Sequence, residues 1–210
     1  MLFRPVPAVE HEFAVRSGAR RVFGLEEIIE PEPACAAPAD LGTEDLSGAA
    51  AGFEYCPVRV VVAEAVRREF IATRRFSRHV EEGGFLAGRV FRGSADQAGF
   101  IVKVTAAINA ERSGASRHSF TFTGESFLRI GAQIGGPASE RLLGWYHTHF
   151  SAATDAMGLS PVDIDLHRST FRLPWQVAGL VNLARDGRVL RFYCMDGQRM
   201  VLAPYWVAPR

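Results

Sequence analysis

The amino-acid sequence predicts a mixed α/β (α+β) domain behind an N-terminal extension. Three observations carry this. From residue 58 onward, apolar runs of strand length alternate with segments of helical periodicity. Turn and cap residues fall between those segments. Residues 31–55, by contrast, are rich in Ala, Pro and Gly, and no Lys or Arg occurs between Arg21 and Arg59 while acidic residues recur. The expected division is an N-terminal extension with an acidic linker over 1–57 and a folded domain over 58–210.

Within the extension, VFGLEEIIE reads as a short helix or strand. In VRVVVAEAVRREFIATRRFSRHV, Val62, Val66, Phe70 and Thr73 recur at helical spacing opposite arginines, which predicts an amphipathic helix. GGFLAGRVFRG and AGFIVKVTAAINA read as strands joined by a turn around Gly93 to Gly99. SFTFT alternates as a short strand, GESFLRIGAQIG reads as a helix, and RLLGWYHTHF as a buried strand. SPVDIDLHRSTF opens with Ser160 at a helix cap, Pro161 at the first helical position and Asp163 two later, and Pro174 closes it. WQVAGLVNLA and RVLRFYCMDG then flank Asp186-Gly187 as a hairpin.

Composition excludes several classes. Of 210 residues 48% are hydrophobic and 22% charged, with a formal net charge of +1, so neither nucleic acid nor a membrane surface is an expected partner. No apolar run reaches bilayer length, and MLFRPVPAVEHEF lacks the apolar core of a signal peptide. Cys35, Cys56 and Cys194 are odd in number and far apart, as in a reduced compartment. The expected location is cytoplasmic. Lys103 is the sole lysine, which reflects either genomic composition or a surface poor in conjugation targets.

The chemistry concentrates in GWYHTHFSAATDAMGLSPVDID, residues 144–165. On a strand His147 and His149 share a face and present two imidazoles to one point. Asp163 supplies a third zinc ligand if its helix begins beside that strand. Two hydrogen-bonded histidines and an ordinary helix cap explain the same residues equally well. A hydrolytic site also needs a general base, for which EEGGFLAG offers Glu81 and Glu82, residues that read alone as solvated. The glycines there let a strand pass close to other backbone.

Glu81, Gly84, Leu86 and Gly88 match the E-x-x-G-x-L-x-G stretch of the JAB/MPN (Mov34/PAD-1-like) zinc metalloproteases with a JAMM motif. GWYHTH resembles that family's zinc strand and LSPVD its Ser-x-x-Asp segment, and the similarity covers roughly residues 58–205. The resemblance implies a cytidine-deaminase-like MPN fold, a curved mixed sheet flanked by helices. It implies one Zn²⁺ per chain on His147, His149 and Asp163. It also implies Glu81 as the base acting on zinc-bound water and Ser160 as the oxyanion donor. Glu82 is out of register with the glycines by one residue. The sequence departs from the family at Phe150, where proline is usual, and in a ten-residue loop, FSAATDAMGL, three longer than the family's. That loop brings in Asp155 as a competing ligand without the Ser-x-x-Asp spacing, and it alters the substrate groove.

His167, four after Asp163, is a candidate contact behind the ligands or a core residue. Trp145 and Phe171 read as core, and His11, His79 and His118 take no role. Bacterial relatives cleave peptide or isopeptide bonds after the C-terminal glycine of ubiquitin-like proteins. The resemblance therefore implies such a protein as substrate, its tail pairing with an exposed strand edge. The acidic extension reads as a disordered tail, a docking segment for the substrate or an E1/E2-like partner, or a strap across the active-site groove. The alternatives are a non-catalytic MPN scaffold and a cell-wall or phage-tail-type peptidase. A zinc deaminase would need a P-C-x-x-C element that is absent.

Overall fold

A computed structural model of the chain describes residues 2–6, 24–28, 32–36, 38–42, 56–93, 99–110, 114–115, 120–134, 140–154, 158–185 and 187–209. Two units are distinguished, Met1–Glu32 and Pro33–Arg210. In the first, β1 (Leu2–Val6) pairs antiparallel with β2 (Gly24–Ile28), so GLEEI resolves as a strand. Most of the acidic linker lies outside the described residues.

The second unit takes in Pro33–Leu41, upstream of the Val58 boundary read from the sequence. Ala34 and Ala36 exchange backbone hydrogen bonds with Arg92. The short α1 (Pro38–Leu41) buries Leu41 against Val61, Phe91, Ile101 and Ala208. A single leucine anchor among Ala and Pro leaves almost no periodic signal, which is why composition alone read this stretch as linker.

The remaining elements are β3 (Val58–Ala63), α2 (Glu64–Arg68) running into a π-helical turn over Glu69–Thr73, β4 (Gly83–Arg92) and β5 (Phe100–Asn109). They are followed by β6 (Gly114–Ala115), β7 (Phe120–Thr121), α3 (Gly124–Ile134), β8 (Arg141–His149) and α4 (Pro161–Thr170). The chain closes with β9 (Val177–Leu183), β10 (Arg188–Asp196), β11 (Arg199–Ala203) and β12 (Tyr205–Ala208). Val62 belongs to β3 and not to the expected helix. VRVVVA is buried on both faces because β3 lies between β5 and β12, so its valines run continuously and mimic a helical stripe where they meet Val66 and Phe70. The helix of SPVDIDLHRSTF stops at Thr170, before Pro174.

Eight strands form one mixed sheet in the order β11-β10-β9-β8-β4-β5-β3-β12, with β8–β9, β5–β3 and β3–β12 parallel. Only Pro204 separates the two edge strands in sequence, so the sheet curls back toward itself. Val60 N–H donates to the Pro204 carbonyl at 3.0 Å, and the Phe192 and Tyr205 rings meet at 5.5 Å. One apolar cluster, including Val60, Phe70, Leu86, Tyr146 and Phe192, fills one side of the sheet. Phe85, Phe120, Trp145, Phe171 and Leu180 build another with α3 and α4. The molecule is therefore a mixed α/β fold with a curled mixed sheet and few helices, and no helix among the described residues is long and apolar enough to cross a membrane.

Two crossings position the site. β8, α4 and β9 form a parallel strand-helix-strand unit, so the α4 N-terminus returns to the carboxyl end of β8. β4 runs antiparallel to β8 with Gly83 opposite His147. The start of β4 therefore lies beside the end of β8.

Candidate metal centre

His147 and His149 emerge on one face at the end of β8, as the strand period requires. Their Nε2 atoms are 2.8 Å apart. The Asp163 carboxylate spans them, with Oδ1 at 3.3 Å from His147 Nε2 and Oδ2 at 3.4 Å from His149 Nε2. Glu81 Oε1 is 4.0 Å from His149 Nε2, and Glu81, His147 and His149 each offer a ligand atom within 4.8 Å of one another. The structure thus brings together His147, His149, Asp163 and Glu81, all buried except the half-buried His149.

The donor set suits a divalent cation. Tetrahedral ligation at ~2.0–2.1 Å separates ligand atoms by about 3.4 Å. Each Asp163 oxygen stands at about that separation from one imidazole, so a small turn of the carboxylate and an opening of the histidine pair would bring one oxygen and both nitrogens to ligand spacing. Glu81 stands farther off, as suits a group reaching across the site. Burial pushes the His147 imidazolium down against the pull of Asp163, so the ring is held neutral, the state in which imidazole ligates a metal. Burial opposes the charge on Asp163 as well. Hydrogen bonds from His147, His149 and Ser160 outweigh it and hold the carboxyl well below the usual range. Burial pushes Glu81 up to about 7, with His149 pulling it back and Asp163 raising it further.

Glu81 owes its place to register. Continuing the Gly83–His147 pairing by two residues sets Glu81 opposite His149, on the ligand face. Glu82 falls on the other face: its N–H donates to Thr148 Oγ1, its carbonyl accepts from Thr148 N–H, and its carboxylate accepts from Ser77 N–H at 2.9 Å. Gly83 and Gly84 are there for close approach. A Cβ would meet the Tyr146 carbonyl oxygen at 2.5 Å from Gly83 and the Ile108 carbonyl oxygen at 2.0 Å from Gly84.

Ser160 and Asp163 form a reciprocal capping box. Ser160 N–H donates to Asp163 Oδ2 at 2.7 Å and Asp163 N–H to Ser160 Oγ at 3.2 Å. Capping and proximity to the histidines are therefore both true of Asp163. The cap uses a lone pair of Ser160 Oγ and leaves its hydroxyl hydrogen free to donate.

His167 is buried and accepts the Trp145 indole N–H at Nδ1, 3.1 Å away. Trp145 stacks on His147 with ring centroids 4.8 Å apart, so His167 acts on the site through Trp145, not on a ligand directly. Trp145 and Phe171 are core, as expected. His79 is exposed, and His11, His118 and Asp155 lie outside the described residues.

Two residues escaped the sequence reading. Asn182 is fully buried on β9, opposite His149 in the ladder. Its amide donates to the Ser151 carbonyl at 3.2 Å, and Arg191 donates to Asn182 Oδ1 at 3.0 Å and to the Thr154 carbonyl at 2.9 Å. Together they tie down the start of the long loop after His149. The available signal was an asparagine inside the apolar run GLVNLA. The expected edge for a substrate tail also needs restating: β4 and β8 are interior strands, and the edges of the large sheet are β11 and β12. Beside the site lies the separate β6–β7 pair, whose Phe120 ring crowds Gly83.

No family model matches the chain, and no curated protein matches it. Among solved structures it is similar to the solution structure of protein DSY2949 from Desulfitobacterium hafniense. The TM-score is 0.53 at 17% identity, over 72% of this chain and 94% of that one. At that identity the likeness concerns the fold alone, which the two proteins share over the greater part of their lengths.

Proposed function

We propose that this chain is a zinc metallopeptidase of the JAB/MPN type, with the cytidine-deaminase-like arrangement of that family. In this reading it hydrolyses peptide or isopeptide bonds after the C-terminal glycine of a ubiquitin-like protein. The observation that carries the reading is the convergence of two imidazole nitrogens, 2.8 Å apart, with the Asp163 carboxylate at 3.3 and 3.4 Å from them and a second buried carboxylate, Glu81, 4.0 Å from His149. His147, His149 and Asp163 would hold the ion, and zinc bound there lowers the pKa of water toward about 7.

The chain's own residues supply the rest. Glu81, with a pKa raised toward neutrality, takes the proton of the attacking water and passes it to the leaving amine, a contribution of typically ~10²–10⁴-fold in rate. The Ser160 hydroxyl donates to the carbonyl oxygen as negative charge develops on it. The capping box fixes the Asp163 carboxylate, and the Trp145 stack fixes the His147 ring. In this reading an extended substrate tail adds as a strand beside β6–β7, with its terminal glycine, which carries no side chain, placed nearest the ligands.

The test measures metal content and cleavage of a ubiquitin-like protein fused through its C-terminal glycine, for wild type and Glu81→Ala. One zinc in both proteins with cleavage in wild type alone is expected. Zinc without cleavage in either overturns the substrate assignment and favours a scaffold or a peptidase of another class. Absence of zinc from both overturns the metal centre itself.

A further inference from the structure

Cys56 and Cys194 are 138 positions apart in sequence, yet their sulfurs are 3.6 Å apart. The curl of the sheet produces the contact. Cys194 lies on β10, beside the edge strand β11, and Cys56 stands two residues before β3, beside the opposite edge strand β12. Cys194 is wholly buried, whereas Cys56 is half-exposed, with Sγ 3.1 Å from the Val58 carbonyl oxygen and 3.9 Å from that of Leu202. One thiol is thus reachable from solvent and the other waits behind it.

We propose that this pair is a redox site that takes a hydroperoxide as oxidant and stores the oxidation as an intramolecular Cys56–Cys194 disulfide. The Cys56 sulfur attacks the terminal peroxide oxygen. An S–O bond forms, the O–O bond breaks, and the departing oxygen leaves as water (or an alcohol) with the Cys56 proton. The Cys194 sulfur then attacks the Cys56 sulfenic acid: an S–S bond forms, the S–O bond breaks, and a second water leaves with the Cys194 proton. Two thiols are oxidised and one peroxide is reduced.

The geometry suits both steps. Bringing 3.6 Å down to a disulfide length of about 2.05 Å requires roughly 1.5 Å of approach. Only the half-exposed sulfur has to admit the oxidant. The hydrogen bond from Cys194 lowers the Cys56 thiol to about 7 against the burial of its site, with Arg59 assisting and Asp196 opposing. The thiolate is the form of Cys56 that attacks the peroxide. Cys194 is pushed up and stays a thiol until it resolves the sulfenic acid. The bond would close the seam of the curled sheet across a long loop, which restricts the unfolded chain. This inference stands apart from the metal centre, whose residues it does not touch.

The test treats the full-length chain with hydrogen peroxide, alkylates it, and maps the peptides. The expected result is an intact mass lower by two hydrogens, a Cys56–Cys194 linkage and a still-alkylatable Cys35. The melting temperature should rise by on the order of 10 °C, reversibly with dithiothreitol. Cys56→Ser and Cys194→Ala should each abolish the linkage and the shift, while Cys35→Ser leaves both. Cys56 driven to sulfinic acid beside a free Cys194, pairing with Cys35, or disulfides between chains would each overturn the proposal. The wild-type map decides the matter even where a variant folds poorly.

Discussion

At the scale of single residues, the chain near the site depends on groups whose pKa burial has moved. His167 is the case best separated from the ligands themselves. Burial lowers its pKa from 6.5 to about 4, and its Nδ1 must stay unprotonated to accept the Trp145 indole. The folded pKa lies below the unfolded one, so acid favours the unfolded chain. The stability carried by neutral His167 is complete above pH 6.5, declines as pH falls toward 4, and changes no further below that. A shift of this size corresponds to about 3 kcal/mol. His167→Gln keeps an acceptor for Trp145 without the titration. In urea unfolding of the metal-free chain, its stability should therefore fall less than that of wild type between pH 7 and pH 4.5. Parallel declines in the two proteins would show that His167 carries no such linkage.

At the scale of elements, α4 shows how one device serves the fold and the site together. Ser160→Ala removes both the cap acceptor and the hydroxyl donor, whereas Ser160→Gly retains most cap stability and removes only the donor. Alanine should cost about 1 kcal/mol of stability and glycine a few tenths. Both should lower the rate of cleavage by the same ~10²–10³-fold expected for a lost oxyanion donor. A rate loss that followed stability across the two variants would reduce Ser160 to a cap. This element was legible in the sequence because Ser160, Pro161 and Asp163 announce a helix start whatever their chemistry. The β8 histidines were legible for a similar reason, since the strand period alone puts them on one face.

Other elements were not legible, for identifiable reasons. β3 is buried on both faces, so its valines carry no alternation to separate it from the helix behind it. β11 and β12 are short and only partly buried, and their turn at Asp196-Gly197, with Gly197 at φ 56°, was the signal passed over. Asn182 and the Trp145–His167 contact depend on which strand neighbours which. Spacing along one chain does not encode that.

At the scale of the whole molecule, the centre joins β4, β8 and α4, and ion binding there should be read in global stability. A cation bound only by the folded chain adds about 4 kcal/mol at a thousandfold excess over its Kd. For a chain of this length that is roughly 10 °C in Tm. Chelation should therefore lower the melting temperature of wild type by that order, and zinc should restore it. The same measurement separates the two carboxylates. Glu81→Gln should keep the full zinc-dependent shift, because Glu81 stands beyond the ligand-edge spacing, at 4.0 Å from His149 Nε2. Asp163→Asn should lose most of the shift, because its carboxylate stands at 3.3 and 3.4 Å from the two imidazoles. Asparagine can still accept the Ser160 N–H, so the cap survives and the loss is attributable to ligation. The reverse pattern, with Glu81→Gln insensitive to zinc and Asp163→Asn responsive, would make Glu81 the third ligand. Asp163 would then keep only its task at the head of α4.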